Sequence, residues 1–323
     1  MRTEAVFRAL ADLTRLRILR LLGSMELAVG EVAQVLAQSQ PRVSRHIGIL
    51  CDAGLAERRR EGSWTFVRAC SSPAEVASLC GGALRLLAEA EGDDRAFAEV
   101  CEADRRKLAE IRSHREAEAQ AYFARHADDW DGLRRLHSSD EAVEDALADA
   151  LGSGSLGRLL DIGTGTGRMA ELLAERTDHI VALDKSLAML RVARAKLQHL
   201  PADRVELVQG DFASLPFDAA SFDTVLFHQV LHFAQLPDAV LAEAARVTRP
   251  GGRIAIVDFA AHQREELRER HAHARLGFED RHMDSLLVGA GFAPLPALAL
   301  EDGELVVKIW IAERVGEKRK AVS

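Results

Sequence analysis

The chain has 323 residues, of which 28% are charged and 48% hydrophobic, and a formal net charge of −8 at pH 7. This length predicts two or three domains with large cores. A membrane-spanning helix is excluded, because no apolar run reaches the roughly 18 residues that such a helix needs. The first residues lack the apolar core of a secretory signal, and the four cysteines show no C-x-x-C spacing. We therefore expect a cytoplasmic protein with reduced thiols and no membrane contact.

Charge is distributed unevenly along the chain. Residues 1–70 contain 11 Arg and no Lys against 7 acidic residues, whereas residues 71–150 contain 10 basic and 19 acidic residues. A basic head on an acidic body predicts a polyanionic partner for the head alone.

The head has the pattern of helices followed by a hairpin. Helical apolar spacing and stop signals predict helices over residues 4–12, 13–22, 31–36 and 41–53. Strand-like residues 55–60 and 64–69 flank the turn Glu61-Gly62-Ser63. Helices with a basic hairpin make a winged helix-turn-helix. The segments Ser39–Leu50 and Ala53–Gly62 resemble the recognition helix and the start of the wing in ArsR/SmtB-type repressors, over about residues 3–90.

This resemblance implies a homodimeric transcriptional regulator that binds double-stranded operator DNA. The exposed N-terminal end of the recognition helix reaches base edges in the major groove, while wing residues suit phosphates. Val43, Ile47 and Leu50 fall on the opposite stripe and predict its core contact. The predicted DNA-contacting residues are Gln38, Gln40, Arg42, Ser44, Arg45 and His46 of the helix and Arg58, Arg59 and Arg60 of the wing.

The same resemblance raises the question of a metal effector. Soft-metal sensors of this family carry two cysteines in the helix before the turn, where this chain has Ala28 and Gly30. Zinc-sensing members use histidines and acids on the last helix of the domain, and residues Pro73 to Glu89 contain no histidine. We therefore predict no metal site.

The middle of the chain, about residues 73–150, is helical by composition. An apolar stripe over residues 76–87 predicts a helix for dimerisation. Residues 94–126 predict an arm of paired charges, interpreted as a solvated spacer. Tyr122, near its end, either covers a bound ligand or is simply packed.

A glycine-rich loop follows an apolar strand at Leu159–Gly167. Glycine permits positive φ and close approach of the backbone to a ligand. The spacing departs from the dinucleotide pattern G-x-G-x-x-G, because position 168 is Arg, and Asp161 at the strand end would repel a pyrophosphate. The loop therefore favours a ligand with an ammonium group and an adenosine.

Further strands follow in order, at residues 179–183, 205–209, 222–227 and 253–257. Asp184 is placed to accept from both ribose hydroxyls, and Asp211 to accept from the adenine amino group while Phe212 stacks on the ring. This ordered set closely resembles the class I S-adenosylmethionine (SAM)-dependent methyltransferases, nearest to the small-molecule enzymes of ubiquinone and menaquinone biosynthesis, over about residues 120–315.

The resemblance implies SAM, or its product S-adenosylhomocysteine (SAH), as the cofactor. The residues that it places around the cofactor are Asp161, Gly163, Thr164, Gly165, Gly167, Asp184, Lys185, Gly210, Asp211, Phe212, His228 and Gln229.

Methyl transfer from a sulfonium requires alignment more than acid–base help. His228, Asp258 and Tyr122 are candidates for the catalytic pocket, with no particular base predicted. A metal at His228 and His232 is disfavoured because no third ligand is evident. His262, His271 and His273 follow on an expected lid, where solvation is the simpler interpretation.

The sequence thus predicts a multidomain chain. The divisions are a winged helix-turn-helix of α+β class at residues 1–90, a helical linker at 91–126, an α/β Rossmann-like class I methyltransferase domain at 127–315 and a charged tail at 316–323. Two functions remain open. The chain is either a regulator that senses SAM or SAH without catalysis, or a methyltransferase for a small-molecule acceptor with an autoregulatory DNA-binding head. Nucleic-acid methylation is weaker, since His228-Gln229-Val230-Leu231 stands where base amino methylation needs its N-P-P motif.

Overall fold

The computed structural model describes residues 2–70, 79–135, 140–201, 203–301 and 303–316. The chain divides into two compact units, residues 1–117 and 118–323. None of the helices described is both long enough and apolar enough to span a bilayer.

The first unit begins as a helical bundle with a small sheet. Its elements are α1 (Arg2–Leu10), α2 (Leu13–Leu22), β1 (Leu27–Ala28), α3 (Val29–Leu36), α4 (Gln40–Asp52), β2 (Ala56–Glu61) and β3 (Trp64–Ala69). The Asp12 carboxylate caps α2 by accepting from the Arg15 N–H at 3.0 Å, and Pro41 begins α4. The strands pair antiparallel in the order β1-β3-β2, which confirms the predicted hairpin.

Two helices complete this unit, α5 (Leu79–Asp93) and α6 (Arg95–His126). The first part of α6 is not the solvated spacer that its charge pattern suggested. Phe97, Cys101 and Leu108 are buried in the same core as α2 to α5. Asp104 accepts two hydrogen bonds from Arg17, at 2.8 and 2.6 Å. The arm does contain apolar residues at helical spacing, but they are few among many charged residues, so its composition indicated a solvated helix.

The second unit is an α/β domain. Its helices are α7 (Trp130–Arg135), α8 (Asp140–Ala150), α9 (Arg168–Leu173), α10 (Leu187–Leu197), α11 (Pro237–Val247), α12 (Glu265–Arg270) and α13 (Asp280–Ala290). Its strands are β4 (Arg158–Ile162), β5 (His179–Asp184), β6 (Val205–Gln209), β7 (Phe222–His228), β8 (Thr248–Phe259), β9 (Phe292–Pro294), β10 (Leu298–Leu300) and β11 (Val307–Arg314).

These strands form one sheet in the order β10-β11-β8-β7-β4-β5-β6, with β9 also paired to β11. Strands β8, β7, β4, β5 and β6 are parallel, and β11 is antiparallel to β8. Buried aliphatic residues of β4 and β7 pack on both faces, Leu160 and Val225 on one and Leu159 and Leu226 on the other, as a sheet covered by helices requires. Residues Arg249–Gly252 lie inside β8, where the register to β7 shifts between Phe222 and Thr224.

Candidate functional site

Acidic side chains collect where the parallel strands end. Asp161 is the residue before the last of β4, Asp184 is the last of β5, and Asp211 follows β6 by two residues. Parallel strands present their carboxyl ends at one edge of the sheet, which is where ligands bind in open α/β sheets. Asp161 is only 1% exposed. The fold therefore brings the three predicted cofactor acids to one edge.

Asp184 holds the glycine loop in place. Its Oδ2 accepts from the Gly165 N–H at 2.9 Å, and its Oδ1 accepts from the Ser186 N–H at 2.8 Å. Burial raises the pKa of Asp184, and these backbone hydrogen bonds oppose that shift. The carboxylate has roughly four acceptor sites, of which the N–H groups of Gly165, Ser186 and Lys185 use three. Asp184 can thus order the loop and still accept from a ligand hydroxyl.

The loop glycines serve packing as well as ligand approach. Gly163 has φ +69°, and a Cβ there would lie 2.3 Å from Cγ2 of Val230. Gly167 begins α9 with φ +84°, and a Cβ would lie 2.9 Å from Leu197. Gly165 also has positive φ, but a Cβ there would lie no closer than 3.6 Å to its nearest neighbour, Nε1 of Trp130. The sequence argument from ligand approach alone missed the close contacts at Gly163 and Gly167.

The adenine end of the predicted site contains an ion pair. Lys185 Nζ donates to Asp211 Oδ2 at 2.6 Å, and Asp211 Oδ1 accepts from the Ala213 N–H at 2.8 Å. Gly210 precedes this carboxylate, and the ring of Phe212 packs partly buried against the sheet core.

The strand β7 end contributes His228 and Gln229, which are 9% and 8% exposed. Gln229 adopts φ +52°, and its N–H donates to the Val257 carbonyl at 2.7 Å. Residue 232 lies in a short 3-10 helix, Leu231–Phe233, so His228 and His232 do not share a helix face. The geometry gives no support to a metal held at an i,i+4 pair.

An aromatic cluster involves the end of α6 and the start of α7. Phe123 packs edge-on to Trp130 and Phe233, with centroids 5.4 and 4.8 Å apart. The Tyr122 hydroxyl lies 2.9 Å from Nδ1 of His271. Burial raises the pKa of Tyr122 and is the main cause that lowers the pKa of His271. At neutral pH the imidazole is therefore uncharged, and the phenol and Nδ1 share one hydrogen bond.

Asp258, a predicted pocket residue, is paired with a histidine that the sequence did not connect to it. It is fully buried and hydrogen-bonds His232, which is 2% exposed. His273 is also buried, at 6% exposure, and stacks on His232 with centroids 4.1 Å apart. The expectation of a solvated histidine at this position was wrong, because the segment after α12 folds back onto the sheet. Periodicity could not reveal this, since the residues are far apart in sequence.

The recognition helix α4 separates its predicted contacts into two groups. Gln40, Arg42 and Arg45 are exposed, while Val43, Ile47 and Leu50 are completely buried, as predicted. Gln38 and His46 instead face α2. Nε2 of Gln38 lies 3.4 Å from Thr14 Oγ1, and Nδ1 of His46 lies 3.6 Å from Asp12. Ser44 is half-buried, and its carbonyl accepts from Arg58 at 2.7 Å.

The wing arginines differ from one another. Arg58 and Arg60 are exposed. Arg59 is paired with Glu26 and Glu61, at 3.1 and 2.9 Å, and lies over the Phe66 ring. The guanidinium of Arg59 thus stabilises the hairpin, so only Arg58 and Arg60 remain suited to phosphate contact.

Helices α1 and α5 expose large apolar side chains. Phe7, Leu79 and Leu86 are 67%, 45% and 55% exposed, whereas Ala83 and Leu87 of the predicted stripe are buried. The start of that stripe, residues 76 and 77, lies outside the described residues. Within the described chain, no group of three or more His, Cys, Asp or Glu side chains is arranged to hold a metal ion.

Family comparisons match both units. Residues 12–58 match the model described as "Bacterial regulatory protein, arsR family", and residues 160–256 match "Methyltransferase domain". The chain thus combines an arsR-family helix-turn-helix segment with a methyltransferase domain of class I fold.

Individual relatives match parts of the chain. It is 44% identical over 103 residues to a demethylmenaquinone methyltransferase of Clavibacter sepedonicus, covering 32% of this chain and 41% of the relative. It is 31% identical over 178 residues to an uncharacterised 37.1 kDa transposon protein of Streptomyces fradiae, covering 50% of this chain and 51% of the relative. The chain spans about half or less of these relatives' lengths.

One solved structure supports the fold alone. A methyltransferase of Haloferax volcanii, solved in complex with the Trm112 methyltransferase activator, aligns with a TM-score of 0.51 at 19% identity. The alignment covers 60% of this chain and 98% of that one.

SAM is the cofactor that a methyltransferase domain of this class takes, and the residues present fit it. Asp184 has acceptor capacity for a ribose, and Asp161 brings a buried carboxylate to the glycine loop. Thr164 Oγ1 is buried with no hydrogen-bond partner among the described residues. Such an atom is costly unless a ligand or water reaches it. When bound, SAM supplies an electrophilic methyl group on a positively charged sulfur.

Proposed function

We propose that this chain is a homodimeric DNA-binding transcription regulator whose methyltransferase domain binds SAM and methylates a small molecule. The observation that carries the proposal is the presence, in one chain, of an arsR-family recognition helix and an ordered set of cofactor acids. Neither feature alone implies both activities.

The DNA-binding part rests on the outer face of α4. Arg42 and Arg45 are exposed at its N-terminal half, where winged helices of this type approach the major groove. Arginine suits guanine edges through two parallel hydrogen bonds. Arg58 and Arg60 of the wing add positive charge for phosphates.

Dimerisation rests on the exposed apolar residues of α1 and α5. Phe7, Leu79 and Leu86 are large, and each is at least 45% exposed. Large exposed apolar side chains of this kind are typical of a protein–protein interface. A dimer would present two recognition helices to two half-sites of an operator.

The SAM site rests on the carboxyl edge of the sheet. Asp161 is placed for the methionine ammonium, Asp184 for the ribose and Asp211 for the adenine amino group. The ordered loop between Gly163 and Gly167 supports the methionine end. Beyond the loop lie the polar groups of His228, His232 and Asp258, which are all buried. His232 and Asp258 lie outside the set of residues expected around the nucleoside, and this favours catalysis over sensing.

Ligand occupancy and DNA affinity are expected to be coupled. The border between the two compact units falls within α6, which runs unbroken from Arg95 to His126. Its first part anchors the winged helix through Asp104 and Arg115, and its last part carries Tyr122 and Phe123. A change in the aromatic cluster on cofactor binding would thus act on the helix that supports the DNA-binding unit.

The test is a pair of titrations with the full chain. A duplex is first enriched from a randomised double-stranded pool, and its affinity is then measured with and without saturating SAM or SAH. We expect saturating SAM or SAH to change the affinity for the duplex by about 5- to 150-fold. Because coupling is reciprocal, calorimetry must show the duplex changing the affinity for the nucleoside by the same factor. Zn²⁺ and arsenite serve as controls that should leave the DNA curve unchanged. Superimposable curves with and without nucleoside would refute the coupling, and absent SAM binding would refute the cofactor site.

A further inference from the structure

The wing hairpin has two chemically different faces. Residues directly opposite each other in an antiparallel pair lie on the same face of the sheet. The register pairs Arg59 with Phe66 and Glu61 with Trp64, so these four side chains share one face, which we call the back face of the wing. Side chains alternate along a strand, and Arg60 therefore lies on the opposite face. The exposed arginine suited to phosphate contact is thus separated from the aromatic residues.

Helix α6 contacts this back face next to the turn of the hairpin. Cζ of Arg115 lies 5.5 Å from the centroid of the Trp64 ring, within the range of a cation–π interaction. Trp64 is the first residue of β3 and follows the turn directly. About one helical turn earlier, Nη1 of Arg112 lies 2.7 Å from Sδ of Met25, two residues before β1. Two consecutive turns of α6 therefore hold the small sheet.

Arg115 also compensates a buried charge. Glu31 is 5% exposed. Its Oε2 accepts from the Ala28 N–H and its Oε1 from Nη1 of Arg115, both at 2.8 Å. A guanidinium is planar, so its face can stack on a ring while its edge donates hydrogen bonds. One side chain of α6 thus joins the start of α3 and the wing at the same time.

A row of stacked groups continues from Arg115 along the back face. The Trp64 and Phe66 rings have centroids 6.0 Å apart, and the Arg59 guanidinium lies 5.0 Å from the Phe66 centroid. The recognition helix is held by different contacts, those of its completely buried apolar stripe. A movement of α6 therefore reaches the wing directly, through contacts in which α4 takes no part.

We propose that the methyltransferase unit regulates DNA binding through the wing. Arg115 is the positioning residue: it sets the place of the wing tip and with it the phosphate contact of Arg60, while the recognition helix keeps its base contacts. Helix α6 continues unbroken to His126, and Tyr122 and Phe123 lie about two turns beyond Arg115. This inference rests on the proposed function, because it requires coupled binding of DNA and nucleoside.

The first experiment measures the salt dependence of duplex binding by the full chain. Arg115→Lys keeps the charge that Glu31 needs but loses the planar group that stacks on Trp64, so the fold should be retained. Each phosphate contact contributes a slope of about 0.9 to log Kd against log salt concentration. We expect Arg60→Ala and Arg115→Lys each to lower this slope by about 1 for each wing. Arg95→Lys is the matched control, because its side chain is 92% exposed on the same helix, and it should behave as the wild type.

A double variant distinguishes positioning of the wing from a general loss of stability. If Arg115 acts through Arg60, the chain with Arg60→Ala and Arg115→Lys should bind the duplex within about twofold of Arg60→Ala alone. The ratio of affinities for the enriched duplex and an unrelated duplex should not change in Arg115→Lys, because base contacts carry the sequence preference. Losses that multiply, or a lost sequence preference in Arg115→Lys, would overturn the inference.

The regulatory step is tested by adding SAM or SAH to each variant. In the wild-type chain, saturating nucleoside should change duplex affinity by about 5- to 150-fold. In Arg115→Lys and in Trp64→Leu, this change should fall below about twofold, while calorimetry without DNA should give wild-type nucleoside affinity. Trp64→Leu removes the ring and keeps the pair of Arg115 with Glu31, so it decides the question if Arg115→Lys fails to fold.

The wild-type measurements separate this inference from the proposed function. If the wild-type chain binds no duplex, or if its duplex affinity responds to neither SAM nor SAH, the proposed function fails. If the wild-type chain responds and both variants respond equally, the coupling does not pass through the wing, and the inference drawn from Arg115 is wrong.

Discussion

The two units place their chemistry differently. In the winged-helix unit, the candidate DNA-contacting side chains Arg42 and Arg45 project from a helix whose opposite face is buried. In the methyltransferase unit, Asp161, Asp258 and His232 are themselves buried, with exposures of 1%, 0% and 2%. Function can therefore be removed from the first unit without disturbing its fold, whereas in the second unit function and stability depend on the same contacts.

The largest effect is expected at Gly163. A valine there would need φ +69° and would place Cβ 2.3 Å from Val230. We expect Gly163→Val to abolish detectable SAM binding and to lower the melting temperature. Calorimetric titration measures SAM binding, and thermal unfolding measures the melting temperature. Gly289→Ala in α13 is the control, because no atom lies within 4 Å of its Cβ position. A stable Gly163→Val variant that binds SAM normally would contradict the strain argument.

The next largest effect is expected on α4. Arg42→Ala combined with Arg45→Ala should weaken binding to the enriched duplex by about 1–3 kcal/mol for each base-contacting arginine. The melting temperature should not change, since both side chains are exposed. Arg95→Ala is the matched control, because its side chain is 92% exposed on α6. If the control weakens binding equally, the arginines act only through net charge.

A smaller effect is expected at Asp184. Asp184→Ala leaves the ribose hydroxyls without an acceptor and removes the hydrogen bonds from Gly165 and Ser186. SAM affinity should fall by about 1–3 kcal/mol, with some loss of stability because the loop is released. The exposed Asp203 gives the control variant Asp203→Ala. Unaltered SAM affinity in Asp184→Ala would place the ribose elsewhere.

The smallest effect concerns pH and His262. Burial, with His232 nearby, lowers the pKa of His262 from 6.5 to about 4. Between these values the unfolded chain binds a proton that the folded chain does not, so this contribution to stability is present above pH 6.5 and is lost as the pH falls toward 4. The melting temperature should therefore rise from pH 4.5 to 6.5, and His262→Gln should flatten that rise. An unchanged slope in the variant would assign the pH dependence to other groups.

Local patterns were sufficient for most elements of the fold. Alternation and helical spacing located the hairpin, the recognition helix and each parallel strand, because a residue's burial there follows its own element's period. The glycine loop and the acids at the ends of β4 and β5 and just after β6 were also evident, since strand ends in an α/β sheet converge on one edge. The buried stripe of α4 was confirmed residue by residue.

What the sequence alone could not decide were the partners of individual charges and rings. Arg59 and Arg58 are adjacent and look alike in sequence, yet Arg59 is held by Glu26 and Glu61. The first part of α6 packs into the winged-helix core although its composition is that of a solvated helix.

The sequence by itself indicated the two kinds of domain and their likeness to known families, because those depend on local period and ordered motifs. Only the tertiary structure joined His232 to Asp258, 26 residues away, and buried His273 against them. Such contacts arise when separate strands and loops meet at a sheet edge. The chemistry of the pair depends on a hydrogen-bond geometry that no spacing along the chain specifies.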